Sequence, residues 1–134
     1  MKKLLLITTG GTIASAKGEE GLEPELTSSQ LLDFLPPQSD ISIDCIDLMK
    51  IDSSNMQPEE WQVIAREIAR HVDEVDGIVL THGTDTMAYT ASSLSFMLRN
   101  LPIPVVLTGS QLPLSHPLSD GYDNIRCAIA MAAS

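Results

Sequence analysis

The sequence predicts an α/β fold, a doubly wound parallel sheet of the flavodoxin-like kind. Four short strand-like segments alternate with segments of helical periodicity in the order β-α-β-α-β-α-β-α. Three of these strands are continuous apolar runs, which is typical of strands covered on both faces of a parallel sheet. Each strand also ends in a polar cluster, and in such sheets ligands bind at the carboxyl ends of the strands.

The first strand is predicted over residues 3–7 and ends in two threonines, two glycines and Thr12. Glycines at a strand end permit backbone conformations that expose N–H groups to a ligand. The pattern matches neither G-x-G-x-x-G nor G-x-x-x-x-G-K-[ST], which argues against phosphate binding. Residues 15–28 follow, with glycines, a proline, several glutamates and no consistent period. We expect a mobile lid there, although a plain solvated connection fits the composition nearly as well.

A short helix through Leu35 is expected next, capped by Thr27 or Ser28. The second strand is predicted over residues 41–48. Its alternation of apolar and polar residues slips in phase at residues 45–46, which favours an edge strand with a bulge.

The middle of the chain predicts a helix followed by the third strand. Residues 52–56 are polar and could either hold a ligand or simply cap this helix. Pro58 fits the first helical turn. The apolar positions that follow the 3.6-residue period are Trp61, Ile64, Ala65, Ile68 and Val72. The third strand covers residues 77–80 and ends in the polar cluster 81–86.

The last part of the chain predicts helix, strand and helix. Residues 86–99 form a helix, and residues 102–107 a fourth buried strand with a polar exit. One stripe of that helix contains Met87, Ala91, Leu94 and Leu98. Asp120 or Ser119 is expected to cap a final helix that runs to Ser134 without a glycine or proline stop. The chain therefore looks interrupted rather than finished.

The expected strand order is 2-1-3-4. This order makes the first and third strands neighbours, and their carboxyl ends flank the topological switch point. Residues 10–12 would then lie beside Gly83, Thr84 and Asp85 across one crevice. The two threonine loops would face a single ligand.

The composition excludes several classes of function. Eighteen acidic and eight basic residues give a net charge of −10, which disfavours binding to nucleic acid or to an anionic membrane. The two cysteines have no C-x-x-C spacing and the three histidines no H-x-x-x-H spacing, so we expect no metal site and no disulfide framework. No apolar stretch approaches the roughly 18 residues that span a bilayer. The apolar start stops at Thr8, before an h-region of about seven residues exists, and so predicts the first strand of a cytoplasmic protein rather than a signal peptide.

Two threonines and an aspartate suggest hydrolytic chemistry at the crevice. A threonine hydroxyl is a weak nucleophile until a base takes its proton, and Thr12 is internal and cannot use an N-terminal amine. The G-x-S-x-G nucleophile pattern is absent. A lysine with a carboxylate partner is one remaining base. Asp85 could hold such a lysine or bind an ammonium group of the substrate.

Residues 8–14, 52–56 and 81–90 together resemble three motifs of the bacterial L-asparaginase family, closest to its cytoplasmic type I branch. The resemblance implies that Thr12 attacks the side-chain amide of L-asparagine to give an acyl-enzyme, which water cleaves to aspartate. It implies that Thr84 is the second catalytic threonine.

The same resemblance assigns the substrate contacts. It implies that Asp85 binds the α-ammonium group, and that Ser53, with Ser54 beside it and the Gly83 backbone, binds the α-carboxylate. Ser110 matches a position whose backbone contacts the departing amide nitrogen. No cofactor is expected, and the resemblance implies a homo-oligomer with shared sites.

Two features depart from the family pattern. Leu22 stands in the lid where many members carry a tyrosine, which leaves the activation of Thr12 in question. The family's catalytic lysine, the rest of the first domain and the whole second domain lie beyond the position that matches Ser134. We therefore expect residues 1–134 alone to have no substantial asparaginase activity.

Three alternatives remain at this point. A glutaminase or the amidotransferase subunit that releases ammonia for tRNA-dependent amidation uses the same motifs. A non-catalytic fragment that binds an acidic amino acid is the second alternative, and a nucleotide-binding domain, which lacks its fingerprint here, is the third. His82 is expected to fix its loop by hydrogen bonds rather than to transfer protons.

Overall fold

The computed structural model describes residues 1–18, 21–24, 27–33 and 40–134. The strands are β1 (Lys2–Thr8), β2 (Ser15–Gly18), β3 (Gly21–Pro24), β4 (Ile41–Asp47), β5 (Gly77–Thr81) and β6 (Val105–Thr108). The helices are α1 (Ser28–Asp33), α2 (Pro58–His71), α3 (Met87–Met97) and α4 (Gly121–Ala133). Two 3-10 turns cover Thr12–Ala14 and Ser53–Asn55.

The main sheet is parallel and has the order β4-β1-β5-β6. This is the predicted order 2-1-3-4, so the fold prediction is confirmed. Thr8 at the end of β1 pairs with Asp47 on one side and with Thr81 on the other, and Thr81 pairs with Thr108. All four strands therefore end at one level, and the loops that leave them lie side by side.

Apolar side chains cover both faces of the sheet. Alternate residues of β1 point to opposite faces, so Leu4 and Leu6 join one cluster and Leu5 and Ile7 the other. The first cluster is completed by Ile13, Leu31, Val79, Leu114, Ile125, Ala128, Ile129 and Ala132. The second is completed by Met56, Ile64, Ala65, Ile68, Ile78, Leu80 and Leu94. The uninterrupted apolar runs in β1 and β5 follow from this two-sided burial.

β4 is an edge strand, as predicted, but the predicted bulge is wrong. Its residues pair with β1 without interruption from Ile41 to Asp47. The apparent slip arises because Cys45 packs on one cluster and Ile46 on the other, while Asp44 is exposed on the same face as Ile46. The strand keeps its period of two. On the face that carries Asp44 and Ile46, the first of these side chains is exposed and the second is packed against the core.

β6 is shorter and less buried than the sequence predicts. Pro102 and Pro104 have no N–H group, and Pro104 contributes only its carbonyl oxygen, which accepts from Ile78 N at 3.0 Å. The strand therefore begins at Val105. Its first three side chains are half-buried because β6 forms the other edge of the described sheet.

Residues 15–28 are more regular than expected. β2 and β3 pair as an antiparallel hairpin, with Ser15 opposite Pro24 and Gly18 opposite Gly21. Four-residue strands with little apolar content give no readable period, so the sequence did not predict this hairpin, and the expectation of a lid stays a prediction. Residues 19–20, 25–26 and 34–39, with the predicted helix end at Leu35, lie outside the described residues.

The helix ends show where local signals were misread. Residues 52–56 do not cap α2. The helix begins instead with a capping box, in which the Glu60 carboxylate accepts from Gln57 N at 3.0 Å. Asp52 caps its own 3-10 turn through Ser54 N at 3.0 Å. Asp120 precedes α4 as predicted, but its carboxylate makes no bond to that helix's first N–H groups.

The helical stripes are buried to different degrees. In α2, Ile64, Ala65 and Ile68 are buried as expected. In α3 only Leu94 of the predicted stripe is fully buried, and Phe96 is exposed. None of the helices in the described part of the chain is long and apolar enough to cross a membrane.

Candidate active site

The loops that follow β1 and β5 are in direct backbone contact. Gly11 has a φ of +89°, and a Cβ atom added to it would lie 2.6 Å from Gly83 N. Only glycine fits both the positive φ and the approach at this position. Thr12 follows Gly11 and Thr84 follows Gly83, so each predicted catalytic threonine adjoins the contact. The structure brings together the two loops that the strand order predicted to be neighbours.

A third loop, which follows β4, also lies against Gly83. A Cβ atom on Gly83 would lie 2.6 Å from the Oγ of Ser53. Thr86 Oγ1 donates to Ser53 O at 2.8 Å, which ties this loop to the residues before α3. Ser53 is 2% exposed, whereas Ser54 is exposed and donates its hydroxyl to Asp52 Oδ1 at 3.0 Å.

The remaining predicted site residues differ in exposure. Thr12 and Thr84 are half-buried, and Asp85 is exposed. Ser110, in the loop after β6, is buried, and its hydroxyl donates to Leu112 O at 2.6 Å. The Ser110 hydroxyl is therefore already engaged within its own loop.

Asp120, just before α4, and Asn124, within it, hold the loop after β6, and the sequence did not assign either residue to the site. Asp120 accepts from Gln111 N at 3.0 Å and from Leu112 N at 3.1 Å. Asn124 Nδ2 donates to Gly109 O at 2.8 Å. The hydrogen bond from Gln111 N is the largest cause that lowers the pKa of Asp120, and the bond from Leu112 N adds to it. The sequence signal for Asp120, an aspartate just before a helix, predicts a helix cap and not a contact with the loop after β6.

Asp47 also escaped the sequence prediction. Its Oδ1 accepts from Thr8 Oγ1 and from Ser28 N, both at 2.7 Å, and so joins the ends of β1 and β4 to the start of α1. Burial alone would raise the pKa of Asp47, but the hydrogen bonds from Thr8 and Ser28 outweigh burial and lower it.

His82 lies beneath the β5 exit loop and is fully buried. Its Nδ1 is 2.6 Å from Gly83 O, and its Nε2 is 2.8 Å from Thr90 Oγ1. Thr90 Oγ1 also accepts from Trp61 Nε1 at 2.8 Å. Burial lowers the pKa of His82, and the hydrogen bond to Gly83 offsets this only in part. A neutral imidazole that fixes its loop agrees with the expectation for this residue.

The converged loops carry hydroxyl groups, backbone N–H groups and the exposed carboxylates of Asp52 and Asp85, of which Asp52 already accepts from Ser54. Such a set suits a small molecule with both a carboxylate and an ammonium group. Among residues 1–18, 21–24, 27–33 and 40–134, no group of three or more His, Cys, Asp or Glu side chains could hold a metal ion.

Comparison with known proteins identifies similar chains. The family model described as "Asparaginase, N-terminal" matches residues 3–134. The L-asparaginase of Thermococcus kodakarensis is 50% identical over 132 residues, which cover 97% of this chain and 40% of that protein. L-asparaginase 1 of Escherichia coli K12 is 46% identical over 140 residues, which cover 99% of this chain and 41% of that protein.

A protein with a different name is similar at nearly the same level. It is a glutamyl-tRNA(Gln) amidotransferase subunit of Saccharolobus solfataricus, 45% identical over 134 residues that cover 97% of this chain and 30% of that protein. The solved thermostable L-asparaginase of T. kodakarensis, 50% identical, superposes with a TM-score of 0.91 over 97% of this chain and 40% of that one. The chain thus spans less than half the length of each of these relatives.

Proposed function

The chain belongs to the asparaginase family, and on that basis we propose that the complete protein hydrolyses L-asparagine to L-aspartate and ammonia. The contact between Gly11 and Gly83 supports this proposal most directly, because it sets Thr12 next to the loop that carries Thr84 and Asp85. Relatives named L-asparaginase, 46–50% identical to this chain, support the same reaction class.

In the proposed reaction Thr12 Oγ1 attacks the carbon of the side-chain amide. The hydroxyl proton leaves to a base, the amide C–N bond breaks, and ammonia departs with one added proton. The product is an ester between Thr12 and the aspartyl group, which water hydrolyses to free aspartate and the restored hydroxyl. Thr84 acts as the second catalytic threonine. Backbone N–H groups of the two glycine loops stabilise the oxyanion, and one such donor is typically worth roughly 3 kcal/mol.

The substrate contacts follow the same loops. Asp85 is exposed and can pair with the α-ammonium group. Ser53, Ser54 and the Gly83 backbone bind the α-carboxylate, a role supported by the close contact between Gly83 and Ser53. The backbone at Ser110 contacts the departing amide nitrogen, which agrees with the use of its hydroxyl by Leu112 O.

The proposal is tested by measuring ammonia release from L-asparagine by the complete protein. We expect turnover in the wild type, its loss in Thr12→Ala, and partial recovery in Thr12→Ser, which keeps a hydroxyl group. No turnover by the wild type, or undiminished turnover by Thr12→Ala, would contradict the proposal.

We further propose that residues 1–134 by themselves have little or no activity. The lysine that the resemblance implies as the base has no counterpart at Lys2, Lys3, Lys17 or Lys50. Assaying this chain beside the complete protein tests the point, and ammonia release that depends on Thr12 in the short chain would contradict it. Calorimetry with aspartate would then separate an inactive binding fragment from one that binds nothing.

A second function is favoured by the similarity to the amidotransferase protein of S. solfataricus. An ammonia-releasing protein of that kind, or a glutaminase, would use the same residues. The ratio of kcat/KM for asparagine and glutamine separates these functions, although one methylene group typically changes selectivity by only about 10- to 200-fold. A homo-oligomer with shared sites and a cytoplasmic location remain predictions from the resemblance.

A further inference from the structure

We propose that Trp61, Thr90 and His82 form a hydrogen-bond relay that sets the orientation of the Gly83–Thr84 peptide. His82 is then a positioning residue for the reaction, an inference that rests on the proposed function. The relay begins on α2, passes through α3 and ends at the carbonyl oxygen of Gly83.

The direction of each hydrogen bond follows from the atoms involved. Trp61 Nε1 can only donate, so Thr90 Oγ1 accepts at 2.8 Å. The hydroxyl proton of Thr90 remains, and it is donated to His82 Nε2, 2.8 Å away, when that nitrogen carries no proton. Gly83 O can only accept, so His82 Nδ1 carries a proton and donates at 2.6 Å. The relay therefore selects the neutral Nδ1–H tautomer of His82.

This tautomer determines what the loop presents to the crevice. The Gly83–Thr84 bond is trans, since the described chain contains no cis peptide, and a trans peptide points its C=O and N–H in opposite directions. The Gly83 carbonyl is turned toward the buried imidazole, so Thr84 N–H points away from it. If this peptide flipped, the Gly83 carbonyl oxygen, an acceptor, would take the place of the Thr84 N–H donor beside the proposed catalytic threonine.

Burial makes the relay a strong constraint. His82 and Thr90 are both 0% exposed, so bulk solvent does not reach a group that has lost its partner. The simpler alternative is that His82 is only a satisfied core residue. A core role predicts that changes in the relay alter stability alone, whereas a positioning role predicts a change in kcat at unchanged substrate affinity.

The first test determines the proton positions by joint X-ray and neutron diffraction on crystals of the complete protein. We expect deuterium on Nδ1 of His82 and none on Nε2. Deuterium on Nε2, whether alone or on both nitrogens, overturns the relay because Thr90 could not then donate to it.

The second test compares two buried threonines in the complete protein. Thr90→Val cuts the relay, and we expect kcat to fall about tenfold while KM changes by less than about threefold. Thr90→Ser keeps the hydroxyl and should restore kcat. Thr81→Val is the matched control, because Thr81 is equally buried and its hydroxyl has no partner among the described residues. Equal kcat values in Thr90→Val and Thr81→Val overturn the positioning role.

A second pair of variants serves if Thr90→Val does not fold. His82→Asn keeps an N–H donor near the place of Nδ1, whereas His82→Leu has a similar shape without a donor. We expect the asparagine variant to retain kcat and the leucine variant to lose it about tenfold. Equal values overturn the proposal.

Failure of the proposed function is recognised separately. If the complete wild-type protein releases no ammonia, the reaction is wrong, and the relay is judged by diffraction alone. A crystal structure of His82→Leu in which the Gly83–Thr84 peptide keeps its wild-type orientation then overturns the relay, and a flipped or disordered peptide supports it.

Discussion

Gly11 and Gly83 touch through their backbones, with the position of a Gly11 Cβ only 2.6 Å from Gly83 N. The two residues are far apart in the sequence, and their contact joins the loops that follow two neighbouring parallel strands. Any side chain at Gly11 would separate these loops, so the contact can be tested by substitution.

Gly11→Ala is expected to lower the free energy of unfolding by about 2–4 kcal/mol, because the methyl group meets backbone atoms and the positive φ is strained. Chemical denaturation monitored by circular dichroism measures this. An unchanged free energy would contradict the close approach.

Thr81→Val is expected to raise the free energy of unfolding by about 1 kcal/mol. The Oγ1 of Thr81 is buried without a hydrogen-bond partner in the described structure, so its replacement by a methyl group removes an unsatisfied polar atom at nearly constant shape. Thr90→Val, which breaks two hydrogen bonds, should destabilise the protein. A loss of stability in Thr81→Val would indicate a hydrogen-bond partner, such as a bound water molecule.

Asp120→Asn is expected to destabilise the protein in a pH-dependent way. The pKa of Asp120 is lowered below its ordinary value of 3.8, so the ionised group stabilises the folded state. Its contribution is complete above the unfolded pKa and disappears as the pH falls through the folded pKa. The difference in unfolding free energy between wild type and variant should therefore shrink at acid pH. A difference that is constant with pH would contradict the role of the charge.

His71 is expected to stabilise the protein most when it is protonated. Glu74 lies 2.9 Å from its Nδ1 and Glu67 3.1 Å from its Nε2. The hydrogen bond to Glu74 is the largest cause that raises the pKa of His71 above its ordinary value of 6.5. This stability is complete below pH 6.5 and is lost as the pH rises through the folded pKa. The unfolding free energy of His71→Gln should not show this fall as the pH rises. The control His116→Gln, at an exposed loop position, should show the same fall as the wild type.

Asp85→Asn in the complete protein is expected to lower kcat/KM for asparagine by about 10- to 100-fold, since a charged hydrogen bond to the substrate ammonium is lost. The control is Asp123→Asn. Asp123 is another exposed aspartate, which pairs with Arg126 on α4, and its substitution should leave the kinetics unchanged. Equal kinetics in the two variants would remove Asp85 from the proposed site.

The main sheet was predictable because its burial is two-sided. Strands covered on both faces must be apolar throughout, and this is visible in the runs that became β1 and β5. Pro58 marked the start of α2 in the same local way. In β4 the environment changes along the strand, and the resulting slip in its alternation predicts a bulge that the structure lacks.

The sequence by itself determined the α/β class, the order of the four strands of the main sheet and their polar ends, because burial and chain-breaking residues act on neighbouring positions. Only the tertiary structure decided that Gly11 makes direct backbone contact with Gly83, that Gly83 meets Ser53, and that the Asp120 carboxylate accepts from loop N–H groups rather than from the first N–H groups of α4. Those contacts depend on the register of the parallel strands and on how α4 packs over the sheet. No local pattern encodes a distance between residues that are remote in the chain.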